Sequence, residues 1–374
     1  MKKPQQRIAF IFLEVFSWEG GIQSYVKDIL RAYEAQPTPD PADVLILRDR
    51  PTVNNPFVDG ALDFHYLAMG QPMLGRLRLA LTLAWNLLRG RYRHVVCGHA
   101  LMLPLVGPLC QLFRVPYTVM IYGKEVWSPL PPAQRRALQR ATGLWVNSRY
   151  SRDRACEAND LHPRQIHMLP CIVDSATFTP GEKSPQLLEK YGLQGSRVLM
   201  TVARLWPGDI YKGVDITIRA LPHIANVFPD VKYLVIGRGD DQPRLAQLAQ
   251  DLGVSDRVVF AGFVPSEDLV AHYRLADAYV MPSQEGFGIV YLEAMACGVP
   301  VLSGDADGSA DPLQDGRVGW RVPHRDVDAV AQACIEMLKG KDQRCDGAWL
   351  RQETLAHFSA ASLKRQMAEM LTKL

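Results

Sequence analysis

Apolar, strand-like runs alternate with amphipathic, helix-like segments along this chain, and this alternation is the strongest constraint on its fold. The runs in the first half are RIAFIFL, DVLIL, HVVCG, YTVMIY and GLWVNS. Those in the second half are RVLMTVARL, VKYLVIG, RVVFAG, AYVMPS and VPVLSG. Strands that alternate with helices form parallel sheets with right-handed crossovers. We therefore predict an α/β chain with one doubly wound parallel sheet in each half.

The length of the chain divides this pattern into two domains. With 374 residues, it exceeds the roughly 250–300 residues at which a single hydrophobic core stops growing. A stretch rich in turn-forming residues, 169–186, is the expected linker. We place the N-terminal domain at 1–175 and the C-terminal domain at 190–350, followed by a final helix at about 355–374.

Cysteine usage and the apolar segments favour a cytoplasmic protein. The seven cysteines are odd in number and include no CxxC pair, which favours free thiols over a disulfide framework. The apolar N-terminal segment contains Glu14 and no small-residue cleavage site, so we interpret it as a buried strand and not as a signal peptide. The uncharged stretch 95–113 contains two prolines, two glycines, His99 and Gln111, which favours a strand, loop and helix over a membrane span.

A basic window, 64–124, contains no Asp or Glu and seven Lys or Arg residues. Within it, the segment MLGRLRLALTLAWNLLRGRYR is apolar at helical spacing and ringed by arginines. Such a helix can lie on an anionic membrane surface. It can equally pack on the core and leave a solvated basic edge, and the sequence favours neither alternative.

Two glycine-containing segments follow predicted strands, where ligands of doubly wound sheets bind. Gly20 and Gly21 open a helix after the first strand, so that an anion can approach the backbone; a simple tight turn would show the same pattern. The segment GRGDDQ, which begins at Gly237, has Gln242 where a GxGxxG motif has its third glycine. This departure disfavours a dinucleotide-dependent dehydrogenase.

Two cations flank a predicted strand end in the second half. Arg204 follows the strand, and Lys212 precedes the next helix. Cations that converge on this edge suit the diphosphate of a leaving group. Alternatively, Arg204 and Lys212 are two unrelated surface cations.

Two carboxylates, Glu285 and Glu293, lie in the segment SQEGFGIVYLEAMACGVPV. Their separation of eight residues spans roughly 12 Å in a helix, whereas the carboxylates of retaining glycosidases lie only about 5–5.5 Å apart. We therefore do not interpret them as an acid–base dyad. The amides of Phe287, Gly288 and Ile289 lie between them at a predicted helix N-terminus, where phosphates bind. A nucleotide sugar, with hydroxyls at both ends and phosphates in the middle, fits this arrangement.

The loop GDADGSADP, 304–312, contains an Asp-Ala-Asp triplet. Such triplets bind a divalent metal in another class of sugar-transferring enzymes. Here the triplet follows the last predicted strand and is surrounded by turn formers, so we interpret it as an ordinary loop. No His/Cys cluster has zinc spacing, and neither a GxSxG nor a P-loop motif occurs.

These segments together resemble retaining nucleotide-sugar glycosyltransferases of the GT-B fold, specifically glycosyltransferase family 4. The resemblance covers nearly the whole chain and rests on the two-glutamate segment and on GGIQSYV, VARLWPGDIYKG and VVFAGFVPSEDLVAHYRLADAYVMPS. It implies two Rossmann-like domains that face each other across a cleft, with the acceptor bound by the N-terminal domain and the donor by the C-terminal domain. It also implies that the final helix packs back on the N-terminal domain.

The resemblance implies a role for each matching position. Glu285 would contact the donor sugar and Glu293 the ribose, while Arg204 and Lys212 would stabilise the departing diphosphate. The further donor contacts would be Gly21, Gly237, Val264, Phe287, Gly288 and Ile289. No metal or cofactor is expected, because the cations and the helix dipole would carry the diphosphate charge. Retention is explained in this family by front-face attack, with a donor phosphate oxygen helping to take the acceptor's proton.

The chain departs from the family pattern on the acceptor side. Many members have a histidine where this chain has Tyr122, in the segment YGKE. A tyrosine can bond a sugar hydroxyl but is a poor base at neutral pH. Tyr122, Gly123 and His99 are therefore candidates for acceptor or sugar contacts, and His99 is either a substitute base or a structural histidine. The spacing from Arg204 to Lys212 is also longer than usual, which makes Lys212 the less secure assignment.

The sequence thus predicts a metal-independent glycosyltransferase that forms an α-linkage in polysaccharide or glycoconjugate biosynthesis. A UDP-sugar is the favoured donor because that donor class is broad, and GDP-mannose is the alternative. The expected acceptor is a glycan or a lipid-diphosphate-linked sugar. An epimerase of the same fold and a non-catalytic nucleotide-sugar-binding protein remain alternatives. We expect a cytoplasmic protein without a nucleic-acid partner, and peripheral contact with an anionic membrane through 64–124 is left open.

Overall fold

The computed structural model describes residues 6–18, 20–57 and 60–374 of the chain. The chain divides into two compact units. The N-terminal unit comprises residues 1–171 and 360–374, and the C-terminal unit comprises residues 172–359. Most of the stretch expected as a linker therefore belongs to the C-terminal unit.

The N-terminal unit is built on a parallel sheet. Its strands are β1 (Arg7–Phe12), β2 (Ala42–Ile46), β3 (Leu62–Tyr66), β4 (Tyr92–Cys97), β5 (Tyr117–Ile121), β6 (Gly143–Val146) and β7 (Ile166–Met168). They are ordered β3-β2-β1-β4-β5-β6-β7. The central strands are almost entirely buried, as expected when helices cover both faces of a parallel sheet. The strand order reverses between β1 and β4, which is where ligands of such sheets bind.

Helices connect these strands in the N-terminal unit. They are α1 (Gly21–Glu34), α2 (Pro72–Leu88), α3 (Leu103–Leu112), α4 (Pro132–Gln139) and α5 (Arg149–Asn159). The uncharged stretch 95–113 forms the end of β4, a short turn and α3, which confirms the strand, loop and helix predicted for it. Within the part of the chain that the structure describes, no helix is both long and apolar enough to cross a membrane.

The C-terminal unit repeats this plan. Its strands are β8 (Arg197–Val202), β9 (Val231–Ile236), β10 (Val258–Gly262), β11 (Ala278–Met281), β12 (Val301–Gly304) and β13 (Trp320–Val322), in the order β10-β9-β8-β11-β12-β13. Its helices are α6 (Pro185–Lys190), α7 (Val214–Val227), α8 (Gln242–Asp251), α9 (Leu269–Tyr273), α10 (Ile289–Ala296), α11 (Val327–Lys339) and α12 (Gly347–His357). The order reverses between β8 and β11, and two doubly wound sheets are confirmed.

The last helix, α13 (Ala360–Leu371), belongs to the N-terminal unit. It packs on α1, and the Gln36 side chain just beyond α1 donates a hydrogen bond to the Lys364 carbonyl at 3.1 Å. Leu363 and Met367 of α13 are fully buried. The chain therefore leaves the first unit at residue 171 and returns to it only at its end.

Three strands, β3, β7 and β13, were not evident in the sequence. Each lies at the edge of its sheet. Their sequences, LDFHY, IHM and WRV, mix polar and apolar residues, and several of those residues are only partly buried. An edge strand lacks the continuous apolar run of a central parallel strand because one of its sides is open.

Candidate active site

Parallel strand pairing brings the predicted donor-binding residues to one edge of the C-terminal sheet. Arg204 follows β8, Gly237 follows β9, and Glu285 lies in the loop after β11. These strands are paired in parallel, so their carboxyl ends point the same way. Ligands of doubly wound sheets bind beyond such an edge, next to the reversal of strand order.

The loop between β11 and α10 presents Glu285. Gly288 ends this loop with a φ of +89°, and a Cβ at this position would approach the Tyr291 ring to 2.4 Å, so glycine is required. The Tyr291 hydroxyl closes the loop by donating to the Met281 carbonyl at 2.6 Å. Because α10 begins at Ile289, the amides of residues 287–289 lie at a helix N-terminus.

Glu285 forms an ion pair with Lys212. The Lys212 ammonium donates a hydrogen bond to the Glu285 carboxylate, and the two side chains are only 19% and 16% exposed. Burial lowers the pKa of Lys212, but the Glu285 charge outweighs this effect and leaves the pKa above its ordinary value. The sequence assigned Lys212 to the donor diphosphate, whereas the structure joins it to the carboxylate expected to bind the sugar.

Arg204 lies at the same edge and is largely accessible. Its Nε donates to Asp209 Oδ2 at 2.6 Å, and its side chain is 68% exposed while that of Asp209 is buried. The guanidinium also lies 5.5 Å from the centroid of the Trp206 ring. These contacts hold Arg204 at the strand end and leave much of its surface open to an anion such as a phosphate.

Glu293 has a different partner from Glu285. The Tyr273 hydroxyl donates to Glu293 Oε2 at 2.6 Å. Burial, followed by the charge of Glu293, raises the pKa of Tyr273 well above its ordinary value, so this tyrosine keeps its proton and acts as a donor. The two glutamates are thus oriented independently, which supports two binding roles over one acid–base pair.

The remaining predicted donor residues follow β9, β10 and β11. Gly237 has a φ of +137°, and a Cβ there would lie 1.8 Å from the Ala203 carbonyl oxygen. Its own N–H donates to the Gly262 carbonyl at 2.8 Å. Val264 and Phe287 are buried, so their backbones, and not their side chains, are the groups that a ligand would meet.

Asp307 is a functional candidate that the sequence analysis overlooked. It is the second aspartate of the loop interpreted as an ordinary turn, and it is 1% exposed. Its Oδ2 accepts the backbone N–H of Glu285 at 2.7 Å, and the Gly308 N–H donates to the Glu285 carbonyl at 2.8 Å. Burial raises the pKa of Asp307 to about 7, although hydrogen bonds from Ser309 and from the Glu285 amide oppose this rise.

In the N-terminal unit, Gly21 begins α1 directly after the loop that follows β1. Gly21 is exposed, and a Cβ at this position would meet no atom within 4 Å. A larger side chain would therefore fit at position 21 without a steric clash. The N-terminus of α1 is accessible, and the contact of Gly21 with a donor diphosphate stays a prediction.

Tyr122 is unsuited to donate a hydrogen bond to a sugar, which corrects the expectation from sequence. Its hydroxyl donates to the Gly98 carbonyl at 2.5 Å, so its single proton is committed to the backbone. Burial raises the pKa of Tyr122 well above its ordinary value, which also excludes it as a base. Gly123 follows it and begins a turn in which the Glu125 carboxylate accepts the Tyr122 N–H at 2.6 Å.

His99 is better suited to donate a hydrogen bond than to act as a base. Its Nδ1 accepts the Leu101 N–H at 3.1 Å, so the neutral ring carries its proton on Nε2. Burial lowers the pKa of His99, partly offset by the charge of Glu125. The proposed substitute base would therefore have no free ring lone pair in this tautomer.

The structure places two charged residues near His99 that the sequence analysis did not select. Glu14 follows β1 and Arg48 follows β2, and their side chains lie 3.4 Å apart. The Gln23 side chain donates to Glu14 at 3.4 Å, and the charges of Glu14 and Arg48 both act on the pKa of His99. We call Glu14, Gln23, Arg48 and His99 the acceptor-side cluster.

No group of three or more His, Cys, Asp or Glu side chains is placed to hold a metal ion within residues 6–18, 20–57 and 60–374. Metal-independent transfer stays a prediction.

Comparisons with known proteins agree with this architecture. A family model described as "Glycosyl transferases group 1" matches residues 196–340. A GDP-mannose-dependent alpha-(1-6)-phosphatidylinositol monomannoside mannosyltransferase of Mycolicibacterium smegmatis is 39% identical over 256 residues, covering 64% of this chain and 66% of that protein. The chain thus spans just under two thirds of this relative's length.

A further curated relative and a solved structure each cover almost the whole chain. A GDP-mannose-dependent monoacylated alpha-(1-6)-phosphatidylinositol monomannoside mannosyltransferase of Corynebacterium glutamicum is 30% identical, covering 95% of this chain and 94% of its own length. The crystal structure of HepE from Anabaena in complex with UDP has a TM-score of 0.78 at 21% identity, covering 99% of this chain and all of that one. This structural likeness confirms the predicted GT-B fold.

Proposed function

Because the chain belongs to glycosyltransferase family 4, we propose that it transfers mannose from GDP-mannose to a lipid-linked, polyhydroxylated acceptor with retention. The observation that carries this proposal is the pair of independently oriented carboxylates at one strand edge. Glu285 is held by Lys212 and Glu293 by Tyr273, on either side of a helix N-terminus that suits phosphate. The spacing of the two glutamates in the sequence also indicated separate binding roles.

The choice of donor rests on the curated relatives. The two reported above, at 39% and 30% identity, are named as GDP-mannose-dependent. The UDP-bound neighbour is only 21% identical, and the preference for uridine in the sequence rested on no particular residue. We therefore favour the alternative donor, GDP-mannose, over a UDP-sugar.

In the proposed reaction, the bond between the sugar's anomeric carbon and the phosphate oxygen breaks, and GDP leaves. The acceptor oxygen bonds to the same face of that carbon, and its proton passes to the departing phosphate. Arg204 and the amides of residues 287–289 would stabilise the charge that develops on the diphosphate. Glu285, with its charge balanced by Lys212, would hold sugar hydroxyls and so fix the anomeric carbon for attack.

The acceptor-side cluster supports a polyhydroxylated acceptor. Glu14 accepts hydrogen bonds, Arg48 donates them, and His99 carries a proton on Nε2, so the group can recognise several hydroxyls or an anionic substituent. The contacts within the cluster are long, at 3.4 Å. Shorter bonds to a ligand would therefore replace weak ones.

The outer side of α2 supports a membrane-bound acceptor. One face of α2 is buried through Gly75, Leu79, Leu83 and Leu87. The opposite side carries apolar residues that are each more than half exposed: Met73, Leu77, Leu81, Trp85 and Leu88. Three exposed arginines, Arg76, Arg78 and Arg89, accompany them. This α2 outer face combines apolar area with positive charge, which suits an anionic lipid surface.

The proposed donor and reaction are tested by measuring nucleotide release from GDP-mannose and UDP-glucose, with and without lipid acceptors. We expect GDP release that requires an acceptor and is lost in Glu285→Gln. Release only from UDP-glucose would overturn the proposed donor. Turnover that needs no acceptor would favour an epimerase, and binding without any release would favour a non-catalytic binder.

The membrane contact is tested with vesicles of phosphatidylcholine, alone or mixed with phosphatidylglycerol. We expect binding to the anionic vesicles only, weakened by salt, and lost in both Leu77→Ser/Leu81→Ser and Arg76→Glu/Arg78→Glu/Arg89→Glu. Val227→Ser, at an exposed apolar residue of the C-terminal unit, is the matched control. Wild-type binding by the α2 variants would overturn the proposal.

A further inference from the structure

We propose that Asp307 is a positioning residue that fixes the direction of Glu285 without touching the donor. This inference rests on the proposed role of Glu285 in holding the sugar. Asp307 and Gly308 together hold the Glu285 backbone on both sides, at its N–H and at its carbonyl. Rotation of the chain at Glu285 is thereby blocked, and its side chain is directed toward Lys212.

The two carboxylate oxygens of Asp307 have separate tasks. Oδ1 accepts the Ser309 N–H at 2.9 Å and the Ser309 hydroxyl, which shapes the local turn. Oδ2 accepts the amide of Glu285, 22 residues away. An aspartate offers an acceptor oxygen to each of these N–H groups, whereas the nitrogen of an asparagine would face one of them.

The burial of Asp307 supports a positioning role and not a metal-binding role for the Asp-Ala-Asp loop. Its side chain is 1% exposed and both oxygens already accept hydrogen bonds. Asp305, the first aspartate of the triplet, is exposed. Burying a carboxylate is unfavourable unless it accepts hydrogen bonds. At Asp307 the bonds from the Glu285 and Ser309 amides offset this cost, and the first of them fixes the Glu285 backbone.

A second contact ties the same loop to Lys212. The Gln284 N–H donates to the Tyr211 carbonyl at 3.1 Å, so the neighbours of Glu285 and Lys212 are also joined. Glu285 therefore stands between two anchors, one on the turn that carries Lys212 and one on the loop that carries Asp307. Loss of the Asp307 anchor should leave nucleotide-binding groups such as Glu293 in place.

The test compares Asp307→Asn, Asp307→Ala, Glu285→Gln and the exposed control Asp305→Ala. Transfer assays with GDP-mannose measure kcat, calorimetry measures the Kd of GDP, and thermal melting curves show whether each variant is folded. If the wild type uses UDP-glucose instead, UDP-glucose and UDP replace GDP-mannose and GDP in these assays. We expect kcat to fall about 10- to 100-fold in Asp307→Asn, as for a buried N–H left without its acceptor. The Kd of GDP should stay within about twofold, and Asp305→Ala should match the wild type.

The double variant Asp307→Asn/Glu285→Gln separates positioning from general damage. If Asp307 acts through Glu285, adding Asp307→Asn to Glu285→Gln causes no further loss of kcat beyond that of Glu285→Gln alone. Wild-type kcat in folded Asp307→Asn, or additive losses in the double variant, would overturn this inference and leave the proposed function intact. Wild-type kcat in Glu285→Gln would instead remove the proposed role of Glu285. If the Asp307→Ala variant does not fold, the kcat of Asp307→Asn alone decides the test.

Discussion

The carboxyl edges of the two parallel sheets are built differently. At the C-terminal edge, every key carboxylate is tied by direct contacts: Asp209 to Arg204, Glu285 to Lys212 and Glu293 to Tyr273. At the N-terminal edge, Glu14 and Arg48 lie 3.4 Å apart and Gly21 faces open space. The first edge is organised before any ligand arrives, whereas the second has groups whose hydrogen bonds are weak until a ligand supplies better ones.

This difference fits the proposed function, in which the C-terminal edge binds the donor and the N-terminal edge the acceptor. A glycosyltransferase gains rate from groups fixed where charge develops on the leaving diphosphate. The group 1 family model matches only residues 196–340, inside the C-terminal unit. We infer that the C-terminal edge should tolerate little change and that the N-terminal edge should respond gradually.

The largest effect is expected for Glu285→Gln. This change keeps the shape of the side chain but removes the charge that balances Lys212 and that, in the proposed function, holds the sugar. We expect kcat to fall on the order of 10²–10³-fold, the cost of losing one preorganised polar group in an active site. Steady-state transfer assays measure it, with the exposed Glu267→Gln as control. A loss below tenfold would show that the C-terminal edge is less finely organised than its contacts indicate.

The pH dependence of stability should differ in sign between the units. His94 is fully buried in β4, and its Nδ1 meets no partner among the described residues. Burial lowers the pKa of His94 to about 4, so between about pH 6.5 and 4 the unfolded chain binds the extra proton. The N-terminal unit should then lose roughly 3 kcal/mol of stability as the pH falls through that range.

Asp307 should act in the opposite direction in the C-terminal unit. Because burial raises its pKa to about 7, the folded state binds the extra proton, and stability rises as the pH falls from 7 toward 4. Hydrogen exchange resolved by unit from pH 7.5 to 4.5 measures both trends. His94→Gln should flatten the N-terminal trend and the exposed His223→Gln should not; equal slopes in both units would contradict this contrast.

Glu293→Gln should have an intermediate effect on donor binding. Glu293 is expected to hold the ribose, and Tyr273 would keep its hydrogen bond to the amide oxygen of the variant. We expect the donor KM and the Kd of GDP to rise about tenfold, equivalent to about 1.4 kcal/mol, with kcat little changed. Calorimetry measures the Kd of GDP, and initial rates give the donor KM and kcat separately. A fall in kcat without loss of GDP affinity would contradict a nucleotide-binding role.

The smallest effect is expected for Arg48→Ala in the acceptor-side cluster. The 3.4 Å contact between Arg48 and Glu14 is weak and Arg48 is 53% exposed, so the fold should be unaffected. We expect the acceptor KM to rise about three- to tenfold through loss of one charged donor to the ligand, while the donor KM stays constant. Arg31→Ala, at an arginine of α1 that is 58% exposed and paired with Asp28, is the control. A change in the donor KM of Arg48→Ala would contradict an acceptor-binding role for Arg48.

Much of the fold could be predicted from the sequence because central parallel strands need continuous apolar runs. The sequence also selected Glu285 and Glu293, which lie in one segment and have different partners in the structure, and their donor contacts stay predictions. Asp307 was missed because its contact with Glu285 joins two loops after different strands. Arg48 was missed for the same reason, being 34 residues from Glu14. The direction of the Tyr122 hydroxyl depends on Gly98, a contact that no local pattern reveals.

The return of α13 to the N-terminal unit affects how the chain is made. Residues up to 171 leave the ribosome without the helix that packs on α1, because residues 360–374 are synthesised only after the C-terminal unit. At about 5–20 residues per second, the intervening C-terminal unit takes roughly 10–40 s to emerge. During that interval the N-terminal unit has an incomplete core, whereas the C-terminal unit, formed from one continuous segment, can fold as soon as it is released. Completion of the N-terminal core is therefore expected to wait until the C-terminal unit has been synthesised.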